Sequence, residues 1–214
     1  MIESKKVRPG AVRVRAQWAL GLMIVLMICQ FTLSVVLILS LFNLTVYVPQ
    51  AILDIIAQSG YAYMAMIWIS GIASLIWLHE AAKNAKILRP SFEYTPNWAV
   101  GWYFVPFANL YKPYVVMRDI WLASKGPTGD RYPKEDEKLA LWWWTRILGG
   151  IAASILNRAF REDGSFHGAG ALTPEFAYVC VNLGVLFSTG VFFLLVKEST
   201  HLQVTHSQRL IDTF

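Results

Sequence analysis

Three features of this chain carry residue types that could do chemistry: His79-Glu80, the lone Arg146 inside an apolar run, and the pair His201 and His206. His79-Glu80-Ala81-Ala82-Lys83 opens like the zinc-protease pattern His-Glu-x-x-His. That pattern works because two neutral imidazoles one helical turn apart hold the metal while the glutamate serves as base. Lys83 stands where the second ligand is needed, so a helix end emerging into water fits better than a metal site. His201 and His206 are five apart and point to different helix faces, since partners sit three or four apart. A haem between His79 and His201 would need axial ligands and a distal pocket, and the sequence supplies no sign of the pocket. Arg146 is the sharpest feature. A charged side chain at mid-bilayer costs about 2.5–3.5 kcal/mol on insertion scales. Either it snorkels to the headgroups or joins an ion pair, which is the favoured reading, or it binds a ligand or lipid phosphate. Glu80, Asp119 and Glu198 are the acidic residues at matching depth. No Gly-rich phosphate loop, nucleophile elbow or paired catalytic carboxylates are found. Cys29 and Cys180 lie in apolar runs and make neither a disulfide framework nor a metal motif. No catalytic or metal residue is assigned, and no cofactor is identified.

The elements that position these residues are read from hydropathy. The 214 residues are 56% hydrophobic and only 15% charged, against about 25% charged in ordinary globular chains. The charges cluster and leave long uncharged runs, which predicts one integral-membrane domain over 1–214. In that setting the net charge of +5 is a topology signal rather than a nucleic-acid footprint.

The predicted fold is all-α, a four-helix transmembrane bundle with spans at about 18–42, 61–78, 139–156 and 176–196. The first run is too long for a signal peptide. Between spans 1 and 2, PQAILDIIAQSG reads as a short amphipathic helix. The second span continues out of the membrane as HEAAKNAKIL, with His79, Glu80, Lys83 and Lys86 facing water, until Arg89-Pro90 ends it. Lys197 to Phe214 reads as a polar tail. Lys and Arg number five before the first span, none in the first connection, nine in the loop 79–138 and two in the third connection. This alternation predicts both termini and the long loop in the cytoplasm, with Ser124 accessible inside and Ser165 outside. Gln30 and Asn182, at similar depth, are expected to hydrogen-bond between spans 1 and 4. Small residues at four-residue spacing (Ser70 and Ser74, Gly149 and Ala153, Gly150 and Ser154, Gly184 and Ser188) suit close packing within the bundle more than a dimer seam.

The stretch Thr95 to Trp121 is too apolar for a soluble loop and too broken to span. Pro96, Pro106 and Pro113 interrupt it, and its apolar core Trp98–Leu110 is about 13 residues, short of the ~20 a span needs. It predicts an aromatic interfacial or re-entrant segment that turns near Pro106. Trp98, Trp102, Tyr114 and Trp121 sit at headgroup level, and Pro113 starts an amphipathic helix whose Tyr114, Met117 and Trp121 share one face.

Trp77 and Asn84, then Pro96, Trp98, Ala99, Val100, Gly101, Trp102, Phe104, Pro106, Asn109, Leu110, Pro113 and Tyr114, then Trp142 and Trp143, resemble the pattern of a bacterial four-span membrane family of unknown function. The resemblance covers about Trp77 to Trp144 and implies the four-span fold and a bacterial inner membrane. It implies no activity.

The chain is therefore read as a non-enzymatic membrane protein, surrounded by membrane lipids, that binds a membrane-protein partner or serves as accessory subunit of a membrane assembly. Trp and Tyr dominate binding hot spots, which makes Trp98, Trp102, Tyr114 and Trp121, with Asn109, His79, Asn84 and Arg146, the candidate partner- or ligand-binding residues. The alternative is a small-ligand or lipid-binding protein or transporter accessory. A membrane enzyme or haem protein ranks behind both. Oligomeric state is not assigned.

Overall fold

The computed structural model describes residues 7–126, 137–162 and 174–212. Among these residues the chain forms α-helices and short 3-10 turns with no strand. The α-helices are α1 (Pro9–Leu41), α2 (Gln50–Leu88), α3 (Pro96–Gly101), α4 (Lys112–Lys125), α5 (Glu137–Glu162) and α6 (Pro174–Asp212). Four of them, α1, α2, α5 and α6, are long and apolar enough to cross a membrane, as the hydropathy predicts.

The chain groups into two compact units. One holds Met1–Met23, Ile69–Ala140 and Phe192–Phe214, the other Ile24–Trp68 and Leu141–Val191. Along α1 the buried positions are Val12, Ala16, Ala19, Met23, Leu26, Gln30 and Ser34. Their steps of three and four residues make a single stripe down a helix that would be about 50 Å long at 1.5 Å per residue. Away from this stripe the apolar run of α1 includes exposed side chains such as Ile28 and Phe31, which suits a helix whose outer surface meets lipid.

In the first unit, polar groups join three helices. Trp77 is fully buried and its Nε1 donates to Thr200 Oγ1 at 2.9 Å. Asn84 Oδ1 accepts the Arg8 backbone N–H at 3.2 Å, and its Nδ2 donates to Gln203 Oε1 at 3.3 Å. Gln203 Nε2 donates in turn to the Ala81 carbonyl at 3.1 Å. Arg15 pairs with Glu80, and Lys83 Nζ lies 3.8 Å from the same carboxylate. Most of these buried polar groups thus have a partner, which is what makes their burial tolerable.

Four expectations are corrected. The segment PQAILDIIAQSG is no separate helix: α2 runs unbroken from Gln50 to Leu88, because Ser59-Gly60 interrupts neither the backbone bonding nor the direction of a helix lacking internal proline. The tail is helical, with α6 continuing to Asp212. Its Ser199, Thr200, Gln203 and Ser207 are buried at steps of one, three and four, so they form a packed face rather than a solvated one. Glu80 does not face water but is 1% exposed, held there by Arg15. Gln30 does not bond Asn182: its Nε2 reaches Tyr63 Oη at 3.5 Å, while Ser34, one turn on, bonds Asn182 Oδ1 at 3.4 Å. The link between α1 and α6 therefore exists, through a shorter hydroxyl.

Other expectations hold. Helix α2 ends at Leu88, just before Arg89-Pro90, and α4 opens with Pro113 in its first turn. Gly149 packs against Val185, with a Cβ there meeting Val185 Cγ2 at 3.6 Å, whereas Gly150 faces open space. The accessibility expected of Ser124 is corrected too: it lies on the buried side of α4 with Ile120 and Ala123, and its Oγ donates to the Ile120 carbonyl at 2.7 Å. Ser165 lies outside the described residues.

Candidate functional site

The broken aromatic stretch is built from its proline and threonine signals. Thr95 caps α3, its side chain accepting the Trp98 N–H at 3.3 Å, and Pro96 occupies the first turn, where its missing donor does no harm. Helix α3 lasts six residues and is followed by turns and by a 3-10 turn at Ala108–Leu110. The chain therefore breaks around Pro106, as its proline pattern predicts. His79 Nε2 and Asn97 Oδ1 lie 3.0 Å apart and tie α3 to α2.

Trp98 and Trp102 stack with centroids 4.9 Å apart. Gly101 leaves room for this, since a Cβ there would stand 3.2 Å from Trp98 Cε3. Lys112 Nζ sits among three rings, 5.2 Å from the centroid of Trp102, 5.4 Å from Tyr111 and 5.5 Å from Tyr94. Ring quadrupoles attract a cation at such distances, so the start of α4 is fastened to the loop before it. Beyond this box the stretch projects apolar groups outward. Phe104 is 70% and Phe107 85% exposed, and Phe107 is held at φ 61°, ψ −42°. Positive φ in a bulky non-glycine residue costs energy and persists only where the surroundings impose it. Helix α4 turns Met117, Ile120 and Trp121 fully inward, and Lys125 Nζ lies 3.6 Å over the Trp121 ring.

The sequence matches a described family over residues 54–172, which takes in more than half of the chain and the whole aromatic stretch. The chain belongs to that family, described as domain of unknown function DUF4328. No curated protein and no solved structure matches the chain. Family membership thus agrees with the resemblance carried by the Trp77 to Trp144 motifs and, like it, brings no activity.

Against the candidate residues, this DUF4328 chain divides cleanly. His79, Asn84, Trp98, Trp102, Asn109, Tyr114 and Trp121 all lie in the first unit and Arg146 in the second. Trp98 and Asn109 are exposed, Trp102 and Tyr114 half-buried. Trp121 and Asn84 are buried, so their contacts are with the chain itself. Arg146 is exposed, and among the described residues no hydrogen bond or ion pair involves it. Glu80, at matching depth by sequence, is taken by Arg15, and Glu198 by Lys138 Nζ at 2.9 Å. Asp119 meets Arg118 at 3.1 Å. No group of three or more metal-ligating side chains occurs among the described residues.

Sequence reasoning missed the exposed Phe104 and Phe107, because it ranked amphipathic tryptophan and tyrosine above phenylalanine. Their flanking of Pro106 was the available signal: a proline-broken backbone cannot bury both neighbours in one helical face.

Proposed function

We propose that this membrane protein is a non-enzymatic, partner-binding or accessory subunit of a bacterial inner-membrane assembly, with both termini and the 79–138 connection in the cytoplasm. The observation that carries this reading is the outward pair Phe104 and Phe107, on a strained turn beside the exposed Trp98. An exposed aromatic group on a constrained backbone binds at low entropic cost, since little is left to order. The residues anchoring the turn, Thr95, His79–Asn97 and the Lys112 box, act as its scaffold.

The test is native mass measurement in mild detergent, comparing wild type with Phe104→Ser/Phe107→Ser. A protein held in fixed ratio by wild type and lost from the double variant is expected. Identical masses for both, with no second protein in either, sink the reading.

Orientation has its own test. Val46 is exposed in the first connection and Lys125 at the end of α4. Val46→Cys should react with a membrane-impermeant thiol reagent from outside, and Lys125→Cys only after the membrane is opened. Labelling of Lys125→Cys in intact cells overturns the cytoplasmic placement.

A further inference from the structure

The candidate span on α5 runs Glu137–Leu156, and Arg146 falls near its middle. Counting 1.5 Å per residue, it lies about 14 Å along the axis from Glu137. At that depth an ionised side chain is retained where an anion compensates it. Several other polar groups of the second unit find partners inside the chain: Gln30 Nε2 with Tyr63, Ser34 with Asn182, Ser188 with the Trp142 carbonyl, Thr145 with the carbonyl of Leu141. Arg146 has none among the described residues and is exposed.

What surrounds it on the helix decides what kind of anion fits. One turn before, Trp142 and Trp143 are buried, so Arg146 continues a face that is closed up to that level and opens there. One turn after, Gly150 is exposed, and nothing stands within 4 Å of a Cβ built on it. Ser154 follows on the same side, exposed, with its hydroxyl spent on the Gly150 carbonyl at 2.8 Å. The surface past the guanidinium is thus shallow and offers no unused donor, which suits a hydrocarbon chain. Leu148, Ile151 and Ile155, toward the opposite side of α5, are exposed and apolar as well. A second copy of α5 would bring a second Arg146 to this face and is disfavoured by like charge.

We propose that Arg146 binds the phosphate of an anionic phospholipid, whose acyl chain lies along the surface over Gly150 and Ser154. The planar guanidinium gives two parallel hydrogen bonds to phosphate oxygens, and the long stem lets it reach toward the headgroup level from its depth in the span. Binding at this site does not depend on whether the aromatic turn holds a protein.

The experiment is native mass spectrometry of the full chain released from nanodiscs of phosphatidylglycerol or of phosphatidylcholine. Wild type should retain one phosphatidylglycerol at partial delipidation and no phosphatidylcholine. Arg146→Gln should lower that retention about tenfold, the scale of a charge-assisted hydrogen bond. Arg146→Lys should lower it less, and Arg158→Gln, three turns on, should leave it unchanged. Equal retention by wild type and Arg146→Gln overturns the proposal, as does loss of a bound protein rather than a lipid from Arg146→Gln. Equal retention of the two lipids by wild type overturns it without any variant.

Discussion

Trp77→Ala should destabilise the protein by about 3–5 kcal/mol, the range for removing a fully buried aromatic side chain. Trp77 has no exposed surface. It donates to Thr200 at 2.9 Å and meets the edge of Phe192 with centroids 6.4 Å apart. Its loss leaves a cavity between α2 and α6 as well as an unpaired lone pair on Thr200, whose own hydrogen stays bonded to the Val196 carbonyl at 2.7 Å. Trp77→Phe separates the two effects. It keeps most of the ring and removes the indole donor, at an expected cost of about 1 kcal/mol for the hydrogen bond plus a smaller void. Unfolding in mild detergent, followed by helical circular dichroism against denaturant, measures both. An alanine variant within about 1 kcal/mol of wild type would show that the α2–α6 contact is not a packed core, since cavity costs at such sites are larger.

The spans were legible because hydropathy is a property of long runs, and no local accident cancels twenty apolar residues. Where α2 begins and where α6 ends was harder to read. In α6 the polar Ser199, Thr200, Gln203 and Ser207 look like a tail by composition, yet their helical spacing places them on one face against Trp77, Ala81 and Asn84. Only the partners on α2 reveal that the face is buried. In α2 the same difficulty ran the other way: Pro49 and Gly60 suggested two segments, and a single helix of 39 residues spans the gap. Helix propensity of one glycine is a weak term, about 1 kcal/mol, that an otherwise continuous hydrogen-bonded ladder overrides.

The candidate site was legible to a different degree at each residue. Proline positions predicted the break near Pro106 and the start of α4, because backbone sterics act locally. Asn84 and Glu80 carried the look of chemistry but are occupied by structure. Asn84 spends its amide on Arg8 and Gln203, and Glu80 its carboxylate on Arg15. Such pairings join residues 65 to 119 positions apart, and no periodicity along one helix encodes them. Once those groups are accounted for, the exposed phenylalanines and Arg146 are among the features of the described residues that the chain does not use on itself.

Gly126→Ala should cost about 3 kcal/mol, from two sources that can be told apart. Gly126 closes α4 at φ 71°, ψ 175°, a region that is essentially glycine-only and costs other residues about 1–3 kcal/mol. A Cβ there would also lie 2.8 Å from His206 Cε1 and 3.3 Å from both ring nitrogens. The imidazole must then move within the packed end of α6, an overpacking cost of about 1–3 kcal/mol. His206→Ala removes the obstacle. Its Nδ1 is buried with no hydrogen-bond partner among the described residues, so that variant sacrifices no bond from this nitrogen. In the double variant the steric part should disappear and the backbone part remain, leaving about 1–3 kcal/mol relative to His206→Ala alone. A double-mutant cycle on unfolding in mild detergent reads the difference as a coupling between sites in contact. If His206→Ala fails to improve Gly126→Ala, the steric term is wrong. If Gly126→Ala equals wild type, α4 does not end in the left-handed turn that brings its last residue against α6.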